Sequence, residues 1–123
     1  MSNKIIKLNR GDSYEFILRI PDKSNCSKNY ILTEQDVVYF ALMYPHQPFE
    51  KSCFVKGYTW EEQDEKGNLI ITITPNDTRR LAPGVYYYTV KLQRGGTLDV
   101  IDDFDEPDEV RTLVERTKFI VNE

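Results

Sequence analysis

The sequence predicts an all-β fold, a single antiparallel sandwich of about seven short strands with one helical turn. Three observations carry this expectation. Apolar residues recur at every second position in most apolar runs, which is the period of a half-buried strand. Eight Tyr and six Phe in 123 residues favour strands, because aromatic side chains fit a pleated surface. Helical signals gather in residues 74 to 84, where Pro83-Gly84 stops them after little more than a turn. With no long helix to act as a crossover, the strands are expected to pair antiparallel. An Ig-like sandwich is the leading arrangement and an antiparallel barrel its competitor. The length suits one domain over residues 1–123, able to bury roughly two-thirds of its unfolded surface without a metal or disulfide.

The elements follow in order. "KIIKL", residues 4 to 8, is a short first strand. "SYEFILRI" places Tyr14, Phe16, Leu18 and Ile20 on one face and Glu15, Ile17 and Arg19 on the other. Between the two lies "NRGDS", where Gly11 supplies an unusual φ and Asp12 a side-chain acceptor for the following amides. "DVVYFALMY", residues 36 to 44, is apolar on both faces and should be central or covered on its second face. "YPHQP" breaks the pattern and "FEKSCFVKGY", residues 49 to 58, resumes the strand. "TWEEQDEKGNL" reads as a solvated hairpin loop closing at Lys66-Gly67-Asn68. "NLIITIT" sets Leu69, Ile71 and Ile73 on one face. In "TPNDTRRLAPG", Pro75 suits a first helical position and Thr74 or Asn76 a cap. "VYYYTVKLQ", residues 85 to 93, puts Tyr86, Tyr88, Val90 and Leu92 on one face. An acidic loop, residues 94–109, leads to "TLVERTKFIVNE", a last strand with Phe119 and Val121 on one face. Tyr86, Tyr88, Phe16, Leu18, Leu69 and Ile71 are expected in the core.

Charge and composition exclude some functions. A net charge of −4 without a basic stripe opposes nucleic-acid binding, which rests on neutralising phosphates. No apolar run approaches the ~20 residues of a spanning helix, so no membrane partner is expected. The start "MSNKIIKLNR" lacks the apolar core of a signal peptide, so cytoplasmic synthesis and reduced thiols are expected. Cys26 and Cys53 are too few and too far apart for a disulfide framework or zinc site, and Cys53 reads as a small buried hydrophobe. No cofactor is implied.

Four stretches carry candidate sites. Arg10-Gly11-Asp12-Ser13 spells an adhesion tetrapeptide, yet its position between strands makes it a structural turn. Asp99, Asp102, Asp103, Asp105, Glu106, Asp108 and Glu109 supply hard oxygen ligands but lack the spacing of a calcium loop. The same segment sets Val100, Ile101 and Phe104 among Asp102 and Asp103. Apolar anchors between steering charges suit a protein partner, and a lid over the sandwich is the alternative. Trp60, with Phe54 and Tyr58, is a candidate sugar-stacking platform. Phe54 and Tyr58 share a strand face and belong to the core, which leaves Trp60 as the exposed aromatic. A single histidine, His46, and no nucleophile elbow or phosphate-cradling loop point away from an enzyme.

The order of landmarks resembles a known family. "RGDSYEF" opens the chain, "LTEQDVVYFALM" follows a loop, "GNLIITITPNDTRRLAPGVYYYTVKL" runs unbroken, and "VRTLVERTKFIV" closes it. This resembles the β-sandwich domain of bacteriophage virion proteins found at the N-terminus of baseplate upper proteins. Asp77, Thr78, Leu81, Gly84, Tyr86 and Tyr88 match that pattern residue by residue. The long acidic segment 94–109 departs from it. The resemblance implies a non-enzymatic structural protein of a virion's tail, baseplate or capsid surface, made in the bacterial host cytoplasm and assembled with other virion proteins in many copies. A carbohydrate-binding module is the alternative. For the matched residues, elementary chemistry predicts structural roles. Asp77 and Thr78 bond amides in a tight turn, Leu81 plugs the sandwich end, Gly84 takes a positive φ, and Tyr86 acts as a corner tyrosine.

Overall fold

The computed structural model describes residues 4–22, 28–94 and 109–123. Among the described residues there are seven strands: β1 (Ile6–Asn9), β2 (Tyr14–Arg19), β3 (Asp36–Met43), β4 (Phe54–Tyr58), β5 (Asn68–Ile73), β6 (Gly84–Arg94) and β7 (Glu109–Asn122). A short α-helical turn, α1 (Pro75–Arg79), sits between β5 and β6. A five-stranded sheet has the order β1-β7-β6-β3-β4, and β2 pairs with β5 in a second sheet. The chain is an all-β sandwich; β6 is central in the larger sheet, and β3, between β6 and the edge strand β4, has all eight of its residues buried.

One pairing departs from the expected antiparallel arrangement: β1 runs parallel to β7, Ile6 opposite Phe119 and Leu8 opposite Val121. The reason lies in the turn after β1. The chain leaves Asn9 for the opposite sheet instead of folding back beside β1, so β1 is free to pair with the last strand. Ile6 and Leu8 face the core as they do so.

The two sheets meet around Phe40, which is fully buried. Its ring stacks on Tyr88 at 5.6 Å and meets Phe119 edge-on at 6.0 Å. Phe54 and Phe16 contact it at 6.5 Å, the latter from the second sheet. Tilted and edge-on rings are favourable geometries for aromatic quadrupoles. Tyr86, Tyr88, Leu18, Leu69 and Ile71 are buried as the alternation predicts. Phe16 packs on the same cluster but is only half-buried.

Three local expectations are corrected. Residues 49 to 58 are not one strand: Phe49–Lys51 is a 3-10 turn, set off by Pro48 and closed by Ser52 N–H on the Phe49 carbonyl, and the strand begins at Phe54. Cys53 therefore lies outside the strand and is exposed, not buried. The loop before β5 carries a 3-10 turn, Trp60–Glu62, whose Thr59 and Glu62 form a reciprocal cap.

β5 supplies a direct test of the face assignment, because Ile71 is fully buried and its neighbour Ile70 is 37% exposed. Ile71→Ala should cost about 2–5 kcal/mol in urea unfolding, and Ile70→Ala should stay within about 0.5 kcal/mol. Equal losses would mean that the faces are wrongly assigned.

Candidate functional site

The opening tetrapeptide is built into the fold. Gly11 has φ of +90°, a conformation that L side chains rarely adopt. The Gly11 amide donates to Thr78 Oγ1 at 2.9 Å, and the Thr78 hydroxyl donates to the Asp12 carbonyl at 2.8 Å, with the Pro75 carbonyl a second acceptor at 3.1 Å. The Arg10 guanidinium donates from Nε and Nη2 to the Arg79 carbonyl at 3.1 and 3.0 Å. Asp12 accepts backwards, from the Asn9 amide at 3.2 Å, and not from the following amides as expected. The Arg10 guanidinium thus braces the turn against α1, while the Asp12 carboxylate closes the turn onto the Asn9 amide.

α1 is itself locally encoded. Thr74 caps it, Pro75 takes the first helical position, and the Asp77 carboxylate returns to the Thr74 amide at 2.9 Å. The same carboxylate holds Lys56 Nζ at 2.9 Å, which also donates to the Thr72 carbonyl at 3.0 Å. Burial pushes the Asp77 carboxyl up, but bonds from Thr74 and Lys56 outweigh it and hold it below the ordinary carboxylate value. Burial pushes the neighbouring Tyr58 hydroxyl up, with the Asp77 charge acting in the same direction. Leu81 is buried under this junction. Gly84 has φ of +155°. Tyr86 is a corner tyrosine, its ring in the core and its hydroxyl donating to the Ala82 carbonyl. Gly11, Asp12, Asp77 and Thr78 take part in the bonds that hold the turn and α1, and Gly84 takes the positive φ at the start of β6.

Two surface features remain available. Trp60 is 46% exposed on its capped turn, whereas Tyr58 is buried and Phe54 packs against the core, so the three aromatics form no common platform. On the outer face of the five-stranded sheet lies a recess of about 540 Å³ that no sequence motif announced. Met43 and Thr89 form its buried floor. Lys91 Nζ lies 4.4 Å from the Phe49 ring centre at its wall, and Thr112, Arg116, Glu50 and Glu115 complete the lining. Arg116 donates to the Gln47 carbonyl. Such a mixed-charge lining accepts a polar group in preference to an apolar one. Cross-strand contact between β3, β6 and β7 creates it, and periodicity does not reveal which strands are neighbours.

The second sheet carries the most exposed apolar surface in register. Ile17 of β2 lies directly opposite Ile70 of β5, and they are 58% and 37% exposed. Among the described residues, β2 pairs only with β5, so its other edge bears no strand. The partner-binding residues expected at Val100, Ile101, Asp102, Asp103 and Phe104 lie outside the described residues. On either side of that segment, Arg94 of β6 pairs with Glu109 of β7. Comparison of the chain with protein-family models, with curated proteins and with solved structures returned no match.

Thr78→Val preserves shape but removes the hydroxyl, itself closed to water, that bonds the Gly11 amide and the Asp12 carbonyl. It should cost about 1–3 kcal/mol in urea unfolding, more than Arg10→Ala, whose bonds are exposed.

The depressed Asp77 value gives a pH signature. The unfolded chain takes up this proton more readily than the folded one. The contribution is therefore complete above the ordinary carboxylate value and is lost as pH falls through the lower, folded value. Asp77→Asn should flatten the acid limb of a stability-against-pH curve, and an unchanged limb would remove Asp77 from that role.

Proposed function

We propose that the chain is a non-enzymatic assembly module of a bacteriophage virion, belonging to its tail, baseplate or capsid surface and working with other virion proteins in many copies. The observation that carries the assembly reading is the second sheet. An apolar cross-strand pair, Ile17 and Ile70, faces solvent beside a strand edge that is unpaired among the described residues. Unpaired edges with apolar neighbours are ready templates for pairing with another chain. The resemblance of residues 69 to 92, in order, to the virion-domain pattern is what suggests the viral setting. The exposed Trp60 favours a second reading, a carbohydrate-binding module, since a braced surface aromatic can stack on a sugar ring.

Mass spectrometry of purified particles from the lysate in which the gene is expressed should find the chain in stoichiometric amount. Its absence from particles, together with glycan binding that Trp60→Ala abolishes, would replace the virion reading with the carbohydrate one.

A further inference from the structure

β2 is exposed more than its partner strand at every apolar position. Tyr14 and Phe16 are half-buried, while Ile73 and Ile71 opposite them are fully buried. Ile17 is 58% exposed against 37% for Ile70. Among the described residues the less covered side of the sheet is therefore that of β2, since β1 pairs with β7 in the other sheet and does not lie beside β2.

The sequence of β2 is self-complementary about Ile17. Glu15 stands two residues before it and Arg19 two after, on the same outer face. Running a second β2 antiparallel, with Ile17 opposite Ile17, sets Glu15 opposite Arg19 on both sides of the two-fold. The inner face then sets Phe16 opposite Leu18 and Tyr14 opposite Ile20, which extends the core across the junction. Shifting the register by one residue would turn core residues against surface ones. Shifting it by two would set one of the charges opposite Ile17. Arg19 spends Nε on Asn68 Oδ1 at 2.8 Å, and its terminal nitrogens remain for a carboxylate. Pro21, without an N–H, ends the paired stretch.

We infer that a second copy of this chain occupies the β2 edge, joining two β2–β5 sheets into one continuous four-stranded sheet across a two-fold axis. The inference rests on the assembly reading and names the partner for that edge. The contact is isologous, so each copy contributes the same patch. Opposite charges across it fix the register, and the isoleucines and half-buried aromatics supply the apolar area.

Sedimentation equilibrium of the full chain should show a concentration-dependent monomer–dimer mixture. Ile17→Lys, which brings two ammonium groups together at the axis, should give monomer with unchanged circular dichroism. Glu15→Arg and Arg19→Glu should each weaken dimerisation at least tenfold, and the double swap should restore it, because residue 15 of one copy meets residue 19 of the other. Monomer at all concentrations would overturn the inference, as would a dimer that Ile17→Lys leaves intact or a swap that fails to rescue. The virion reading fails separately. A dimer absent from purified particles sinks that reading alone, and an incorporated chain that is monomeric in solution sinks the pairing alone.

Discussion

The Thr78 hydroxyl is closed to water and binds backbone groups of two segments far apart in sequence, the turn at Gly11–Asp12 and the start of α1. Those bonds fix the point at which the chain passes from the five-stranded sheet to the second one. Arg10 on the Arg79 carbonyl reinforces it from outside. Once that crossing is set, β1 must end beside β7 and β2 must begin above the aromatic cluster. The parallel pair, the closed rim around α1 and the open edge of β2 follow from one buried side chain. A hydroxyl suits the role because it donates and accepts at once, and an amide or carbonyl left unpaired there would cost more than the bond contributes.

The tyrosines solve a related problem. A thin sandwich has rims where backbone carbonyls leave the ladders and meet apolar side chains. Tyr86 donates to Ala82, Tyr88 to Lys4 and Tyr58 to Thr72, each with its ring buried and its hydroxyl on a carbonyl. Each fills the core and satisfies a rim acceptor with one side chain, which phenylalanine cannot do. The high tyrosine content that first pointed to strands thus has a second cause in the closing of the rims.

Strand faces were legible because period two is a local property, whereas the turn at Phe49–Lys51 broke the expected strand over residues 49 to 58. The β2, β5 and β6 alternations place every core residue on the correct side, and the Thr74–Asp77 cap and Tyr86 corner are read from spacing alone. Neighbour relations were not legible, since no residue in "KIIKL" specifies β7 over β2 as its partner. Lys56 shows a second limit. Period two puts it on the core face with Phe54 and Tyr58, and its long stem carries the ammonium to the sheet rim, where Asp77 and the Thr72 carbonyl receive it. For the β2 edge, the outward Glu15, Ile17 and Arg19 were visible from the start. The openness of that edge depended on where β1 goes, which only the fold discloses.

The two edges of the second sheet are treated differently, and the difference bears on what β2 is for. On β5, Lys56 and Tyr58 cap the Thr72 carbonyl and Gln63 bridges to Leu69, so an incoming strand would have to displace a cation. Edge lysines of this kind deter unwanted pairing. β2 carries no lysine and no proline within its span. Its two charges discriminate among pairings instead of forbidding them. A parallel copy in register would set Glu15 against Glu15 and Arg19 against Arg19, like charges at cross-strand distance. An antiparallel copy centred on Ile17 sets each against its opposite. With one edge closed by a cation and the other selective for a single arrangement, the sheet can grow from β2 by one copy and then stops, because the next edge exposed is again β5. Pairing of that geometry would give a closed pair and not an open fibre.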